Sequence, residues 1–416
     1  MPAELPMRRA LGLAFVLGAG SATAQATEGS ILDLSLDELV DMVVVSASRQ
    51  AERLSEAPAT VIVLTRDDLE ARGYRDLSEI YDDLPGMDLS RAFGDTTFRN
   101  QWRGLRKSIS VPYQLLLDGQ SLNHLYFNQD EIIAALPMSG IERIEVVYGP
   151  SAVIYGANAF VGVVNIVTAA PGTEAGLHWR GRVSAGSFDR RIADLHVAWR
   201  HGDHALRLGL RQDEGGLDPD ARGTLPGFSD AYYADRRLWG AFADGRYGGQ
   251  YASLHRHRAA DLRWHWRDWT VIAQQFELSS GYGNVYAGDT VQNDGVWREP
   301  EQVLAIAHRG AVGPWRGETM LRWRASGVAD DSYFVEAYDV AQPGGGTRRV
   351  VDFSYWGSEN RSLALSHDGE WPLSARWSLV GGARVERKDL QKAYRTNFGP
   401  AIAPTDLVDL RTYPFP

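Results

Sequence analysis

The residues best suited to chemistry in this chain are its histidines, and the chemistry they suggest is metal binding. His201 and His204 bracket the turn HGDH, and His255 and His257 would share one face of a strand. A zinc site needs three or four ligands converging on one point. No carboxylate-supported third ligand is spaced to join either pair, and hairpin turns accept histidine readily, so a zinc-dependent periplasmic enzyme stands only as a rival reading. Nucleophile and phosphate patterns are missing too: the sequence has no G-x-x-x-x-G-K-[ST] loop, no G-x-S-x-G elbow and no H-E-x-x-H helix. With 0 cysteines there is no disulfide framework, thiolate metal site, cysteine nucleophile or lipoprotein anchor. The sequence therefore predicts no catalytic residue, no metal, no cofactor and no enzyme.

The elements that would position any site divide into two kinds, and the ends of the chain say where they reside. A net charge of -10 offers no clustered basic surface for phosphates, so nucleic acid is dropped as a partner. Arg8 and Arg9 precede the apolar run 10–19, and Ala22-Thr23-Ala24 supplies a small-x-small cleavage site before Gln25. That is a secretory signal peptide over residues 1–24. Beyond it no run reaches ~18 apolar residues, so membrane residence would have to use a barrel.

From Val43 to about Ala170 the pattern is that of a small α+β unit. Thr65 and Asp68 form a capping box with Gly73 as the helix stop, and Asp76 and Glu79 repeat the box. Leu77, Ile80, Tyr81 and Leu84 then share one helical face before Pro85-Gly86. Asp118-Gly119 suits a type I′ hairpin turn. Residues 141–148 and 161–168 read as strands, with one helical turn launched by Pro150-Ser151 and ended by Gly156 between them. The aperiodic stretches 90–102 and 123–131 read as exposed loops. Near the start, 34–40 is amphipathic and 42–45 is short and β-prone, a segment suited to adding a strand to a partner's sheet edge.

Past Pro171-Gly172 the period becomes two. Leu177, Trp179, Val183 and Ala185 alternate with His178, Arg180, Arg182 and Ser184, and the pattern recurs at 193–200, 206–211, 262–267, 321–324 and 377–386. A sandwich also alternates, but its wet face seldom carries so many tryptophans. A membrane barrel turns apolar residues to lipid and charged ones to a wet lumen. A secreted or surface β-sandwich adhesion protein is the alternative.

Six segments in order, DMVVVSA, EAPATVIVLT, LSEIYDDLPGMDL, WRGL, LLLDGQSL and IERIEVVYGPSAVIYGANAFVGVVNIVT, resemble the plug of TonB-dependent outer-membrane receptors. The resemblance covers 41 to about 170, with barrel-like sequence after it. It implies an α+β plug domain followed by a transmembrane antiparallel β-barrel, here only about half present: signal peptide 1–24, N-terminal segment 25–47, plug 48–171 and partial barrel 172–416. It implies residence in the outer membrane among its lipids, and import of a ferric siderophore, or of cobalamin or haem, driven by TonB and its inner-membrane energising complex.

Carried over by position, Asp41, Met42, Val43, Val44, Val45, Ser46 and Ala47 would contact TonB. Arg91, Phe93, Asp95, Phe98, Arg99, Gln101, Trp102, Tyr126, Phe127 and Asn128 would belong to the ligand loops, and Arg103, Glu142 and Arg143 to plug–barrel contacts. Two departures stand out. Many relatives carry Arg where this chain has Tyr148. Barrels of this family have about 22 strands, whereas the residues after 170 hold roughly a dozen strands of ~10 residues with their turns. The ending RTYPFP also lacks the terminal aromatic strand, so these residues alone are expected neither to close a barrel nor to transport.

Overall fold

The computed structural model describes residues 43–44, 46, 52–53, 55, 57, 59–90, 99–106, 110–156, 158–171, 175–187, 189–215, 255–281, 291–341, 343–374 and 377–398. The signal-peptide reading, the amphipathic stretch 34–40, most of the link 212–230 and the ending RTYPFP lie outside them.

β1 (Val43–Val44) pairs antiparallel with β2 (Glu52–Arg53). β3 (Thr60–Thr65) runs into α1 (Arg66–Arg72), where the Thr65 amide donates to Asp68 at 2.8 Å and the Asp68 amide returns a bond to Thr65 Oγ1. Gly73, at φ 69°, ends the helix in the left-handed region. The second capping box does not form. Asp76 accepts from the Ser78 amide, but Glu79 turns to the Arg75 amide instead, and a 3-10 turn (Leu77–Glu79) precedes α2 (Ile80–Asp83). Leu77, Ile80, Tyr81 and Leu84 are buried as the period requires.

β4 (Met87–Ser90), β5 (Arg99–Trp102) and β6 (Leu105–Arg106) form a small sheet. β7 (Gln114–Leu117) and β8 (Gln120–Ser121) flank the hairpin turn, where Asp118 at φ 49° and Gly119 at φ 76° give the two left-handed residues a type I′ turn needs. A 3-10 segment (Glu131–Ala135), β9 (Ile141–Tyr148), α3 (Ala152–Tyr155) and β10 (Gly162–Thr168) complete the unit. Its five-stranded sheet has the order β3-β9-β10-β7-β8, with β10 antiparallel to β9 and parallel to β7. Val163, Val164 and Ile166 are wholly buried, so β10 is covered on both faces and reads as a continuous apolar run.

The second unit is one sheet of nine strands in sequence order, each antiparallel to the next. They are β11 (Gly176–Ala185), β12 (Arg191–His201), β13 (His204–Gly215), β14 (His255–Trp266), β15 (Trp269–Gly281), β16 (Val291–Val312), β17 (Trp315–Ala341), β18 (Thr347–Pro372) and β19 (Ser378–Phe398). The expected dozen strands become nine among the described residues because the last four run 21 to 27 residues, well beyond the ~10 that cross a bilayer. The strand order places the ends at His201, Trp266, Val312 and Pro372 on one side of the sheet, and those at Ala185, Gly215, Gly281 and Ala341 on the other.

Polarity across this sheet is the reverse of a soluble protein's. Trp179, Val183, Leu304, Leu363, Leu365 and Val385 face outward and exposed, while Asp194, Arg207, Arg211, Asp261, Glu301 and Arg324 are buried against the first unit. The core follows suit: Ala259, Phe276 and Leu278 of the sheet join the hydrophobic cluster of the α+β unit.

Candidate functional site

Three places concentrate polar groups that the first unit does not need for its own secondary structure. The first is the docked N-terminal segment. Ser46 is wholly buried and donates both its amide, at 2.8 Å, and its hydroxyl, at 2.5 Å, to Glu145 Oε2 on β9. Arg143 donates to the other carboxylate oxygen at 2.7 Å, and Asn165 on β10 donates to Ser46 Oγ at 2.9 Å. Val44 is wholly buried as well. Of the other predicted segment residues, Val43 pairs with Arg53 of β2, and Asp41, Met42, Val45 and Ala47 lie outside the described residues.

The second place is the stretch 123–131, at the level of the long-link halves of β16 and β17. It is not an exposed loop. Asn123, His124, Gln129, Asp130 and Glu131 are buried, and Tyr126, 51% exposed, projects from it. Phe127 packs on Trp297 and Val328, and Asn128, at φ 53°, donates to Val111 O at 3.0 Å and accepts from Asn158 at 2.7 Å. His124 Nδ1 accepts the amides of Tyr126 and Phe127, which needs an unprotonated nitrogen. Burial, and then the nearby Arg324 charge, push its pKa down to about 3. Beneath, Asp130 Oδ2 accepts from Tyr81 at 2.8 Å, from Asn100 at 2.8 Å and from Tyr113. Burial raises the Asp130 pKa, those hydrogen bonds offsetting part of the cost, and burial beside this carboxylate holds both tyrosines well above the ordinary phenol range.

Trp102 is corrected by the same geometry. It is wholly buried, edge-on to Tyr113 at 5.3 Å and Tyr148 at 4.9 Å, so it is a core side chain and cannot meet a ligand from a loop. Its indole uses the space a side chain at Gly162 would fill: a Cβ there would sit 2.5 Å from the ring and 2.3 Å from Val147 O. Gln101 donates to Asp88 across the β4–β5 pair, and Arg99 lies on β5. Arg91, Phe93, Asp95 and Phe98 lie outside the described residues.

The third place is the seam between the two units, and here arginines of the large sheet do the reaching. Arg182, Arg211, Arg322 and Arg324 donate to the backbone carbonyls of Tyr74, Arg75, Ser121 and Asn123 at 2.8–3.1 Å. Arg190 meets Asp76 at 3.3 Å, and Arg263 and Arg207 approach Asp118 at 2.5 and 3.7 Å, near the tight-turn ends of their strands. Asp118 also accepts from the Thr168 amide and hydroxyl, so one turn residue ties hairpin, β10 and sheet together.

The predicted contact residues behave differently. Arg103 lies over the Tyr148 ring at 5.3 Å, Glu142 pairs with Arg66, and Arg143 with Glu145, all inside the first unit. Glu142 alone also reaches the sheet, electrostatically, through Arg180. The signal that could have found the real partners was the inward register of Arg182, Arg207, Arg211, Arg263, Arg322 and Arg324, each on the polar face of its strand. His201 stacks on Trp199 and His204 on Trp264 and Trp266, whereas His257 Nδ1 accepts from the Ser279 amide at 3.3 Å.

An α+β unit packed against a sheet with a charged inner face has a counterpart among known families: residues 53–163 match the family model of the TonB-dependent receptor plug domain. Within residues 53–163, then, the chain is similar to the plug domain of TonB-dependent receptors. The "Iron-regulated outer membrane virulence protein" of Vibrio cholerae serotype O1 is 34% identical over 173 residues, 40% of this chain and 24% of that protein. The match thus spans about a quarter of the curated relative's length. The solved structure of the siderophore receptor PirA from Acinetobacter baumannii superposes over 85% of this chain and 59% of its own, with a TM-score of 0.50 and 15% identity. The copper transporter OprC superposes over 85% of this chain and 48% of its own, with a TM-score of 0.54 and 14% identity. At those identities the two structures speak for the fold: a plug followed by a partial antiparallel barrel sheet.

Proposed function

We propose that this chain supplies the plug and part of the barrel of a TonB-dependent importer of the outer membrane, one that takes up a ferric siderophore or, as lesser options, cobalamin or haem. Residues 41–47 are the segment offered to TonB in the periplasm, and the long links of the sheet, with Tyr126, Phe127 and Asn128 of the plug, face the ligand outside. Arg91, Phe93, Asp95, Phe98 and Arg99 belong to the same ligand-facing reading. The orientation follows the length rule for such barrels, tight turns inside and long loops outside.

The observation that carries the reading is the docked segment: a short β-prone strand near the N-terminus, held by a two-residue pairing and one buried carboxylate, is a strand available for exchange with a partner. The adhesion alternative supplies no reason for a sheet whose charged face is buried against a separate domain. The test is growth under iron limitation with defined ferric siderophores. Cells whose receptor carries proline at Val43, Val44 and Val45 should lose rescue while keeping ligand binding. Rescue equal to the parent's would remove the segment from the transport step.

A further inference from the structure

We propose that Ser46 and Glu145 are the latch that keeps the N-terminal strand parked against the plug. The proposal rests on the reading of 41–47 as the TonB-contacting segment, and it names the bonds that must break before that segment can leave.

A ribbon of two residues pairing with two has almost no stability of its own. Something else must hold Val44 buried, and Ser46 is placed to do so. Both of its donors converge on one oxygen of a wholly buried carboxylate, and its hydroxyl oxygen accepts from Asn165 at the same time. Hydrogen bonds to an ionised group are the strong ones, so this single small residue anchors the segment more than its backbone pairing does.

Departure is also feasible, because water can replace those bonds once the carboxylate is uncovered. The latch is therefore firm but reversible. It is registered against the barrel wall as well: Asn165 Oδ1 accepts from the Gly119 amide at 3.0 Å, and the adjacent Asp118 holds Arg263 and Arg207 of the sheet. A contiguous chain of bonds thus runs from the wall through the hairpin turn to the parked segment.

The absence of native cysteine makes the test clean. Val44→Cys in the receptor as it sits in isolated outer membranes reacts with a maleimide only when the segment leaves. Adding Ser46→Ala should raise the labelling rate about tenfold or more, as expected for losing a charge-assisted hydrogen bond. Ser46→Thr, which keeps the hydroxyl, should restore it to within about twofold, a rescue that a general packing role would not produce. Glu145→Gln should also raise the rate. The proposal is overturned if Ser46→Ala labels no faster than Val44→Cys alone, or if Ser46→Thr labels as fast as Ser46→Ala. Crosslinking of the Val44→Cys receptor to a cysteine-bearing C-terminal domain of TonB separates the two readings. A raised labelling rate with no crosslink keeps the latch and removes TonB as the partner, whereas a crosslink with an unchanged rate keeps TonB and removes the latch.

Discussion

Strands of similar composition meet opposite fates in the two halves of this molecule. Val164, on β10 of the plug, is wholly buried, while Val385, on β19 of the sheet, is 77% exposed. Conversely, Arg211 and Asp194 of the sheet are buried and paired at 2.7 Å, whereas the plug's Arg72–Asp83 pair stands in the open. The difference teaches that burial here tracks the solvent each surface faces. The plug excludes water in the ordinary way, and the sheet turns its apolar face outward and its charge toward the plug, the polarity a lipid-facing barrel wall would need.

The largest expected effects come from the buried side of that contrast. Arg211 bonds Asp194, Asp213 and the plug carbonyl of Arg75, so Arg211→Ala takes a cation from two buried carboxylates and should cost about 3–5 kcal/mol. Loss of plug protection in hydrogen exchange, with heat-modifiable mobility altered, would register it. Trp102→Ala, emptying the centre of the plug, should cost a similar 3–5 kcal/mol, but in the plug alone. If the sheet's unfolding shifts as far as the plug's, the two units are less separable than the contrast holds.

Next comes the lipid face. Leu304→Arg places a charge on the outward row and should destabilise the bilayer-embedded protein by about 2–4 kcal/mol if that position lies near mid-membrane. A chemical denaturation series in liposomes against the parent measures it, and an unchanged midpoint would argue that this face meets water.

A smaller effect is tied to pH. His124 is held near a pKa of about 3, below its ordinary 6.5, so the unfolded chain takes up that proton first. Stability should therefore be full above about pH 6.5 and fall as pH drops toward 3, at up to about 1.4 kcal/mol per unit. Asp130 works in the opposite sense, since its raised pKa eases the cost of burial as the carboxyl protonates. His124→Gln should flatten the slope of melting temperature between pH 7 and pH 4.5. Smallest of all is the exposed rim pair Arg267–Asp203, whose removal should change stability by no more than about 0.5 kcal/mol in the same melts.

Much of this was legible in the residues, for reasons that differ by element. The Asp118-Gly119 turn and the Thr65–Asp68 cap were readable because each is decided by two or three neighbouring residues. The polarity of the sheet was readable because a period of two survives any tertiary arrangement. What escaped was decided at long range. Trp102 looked like a loop aromatic until Gly162, sixty residues on, was seen to make room for it. Glu145 looked like one more charge on a strand until Ser46 was found folded over it. The seam inverted expectation, because plug charges such as Glu142 and Arg143 pair locally while arginines of the wall seek backbone carbonyls, which no side-chain pattern marks.

The most direct test of the account is a cysteine scan along residues 303–307 of β16 in reconstituted bilayers, reading quenching of an attached fluorophore by a nitroxide carried on the lipid tails. Leu304 and Ile306 should be quenched, and Val303, Ala305 and Ala307, buried on the opposite face, should be protected. Uniform protection along the row, or quenching on the Val303 side, would contradict a plug enclosed by a lipid-facing sheet.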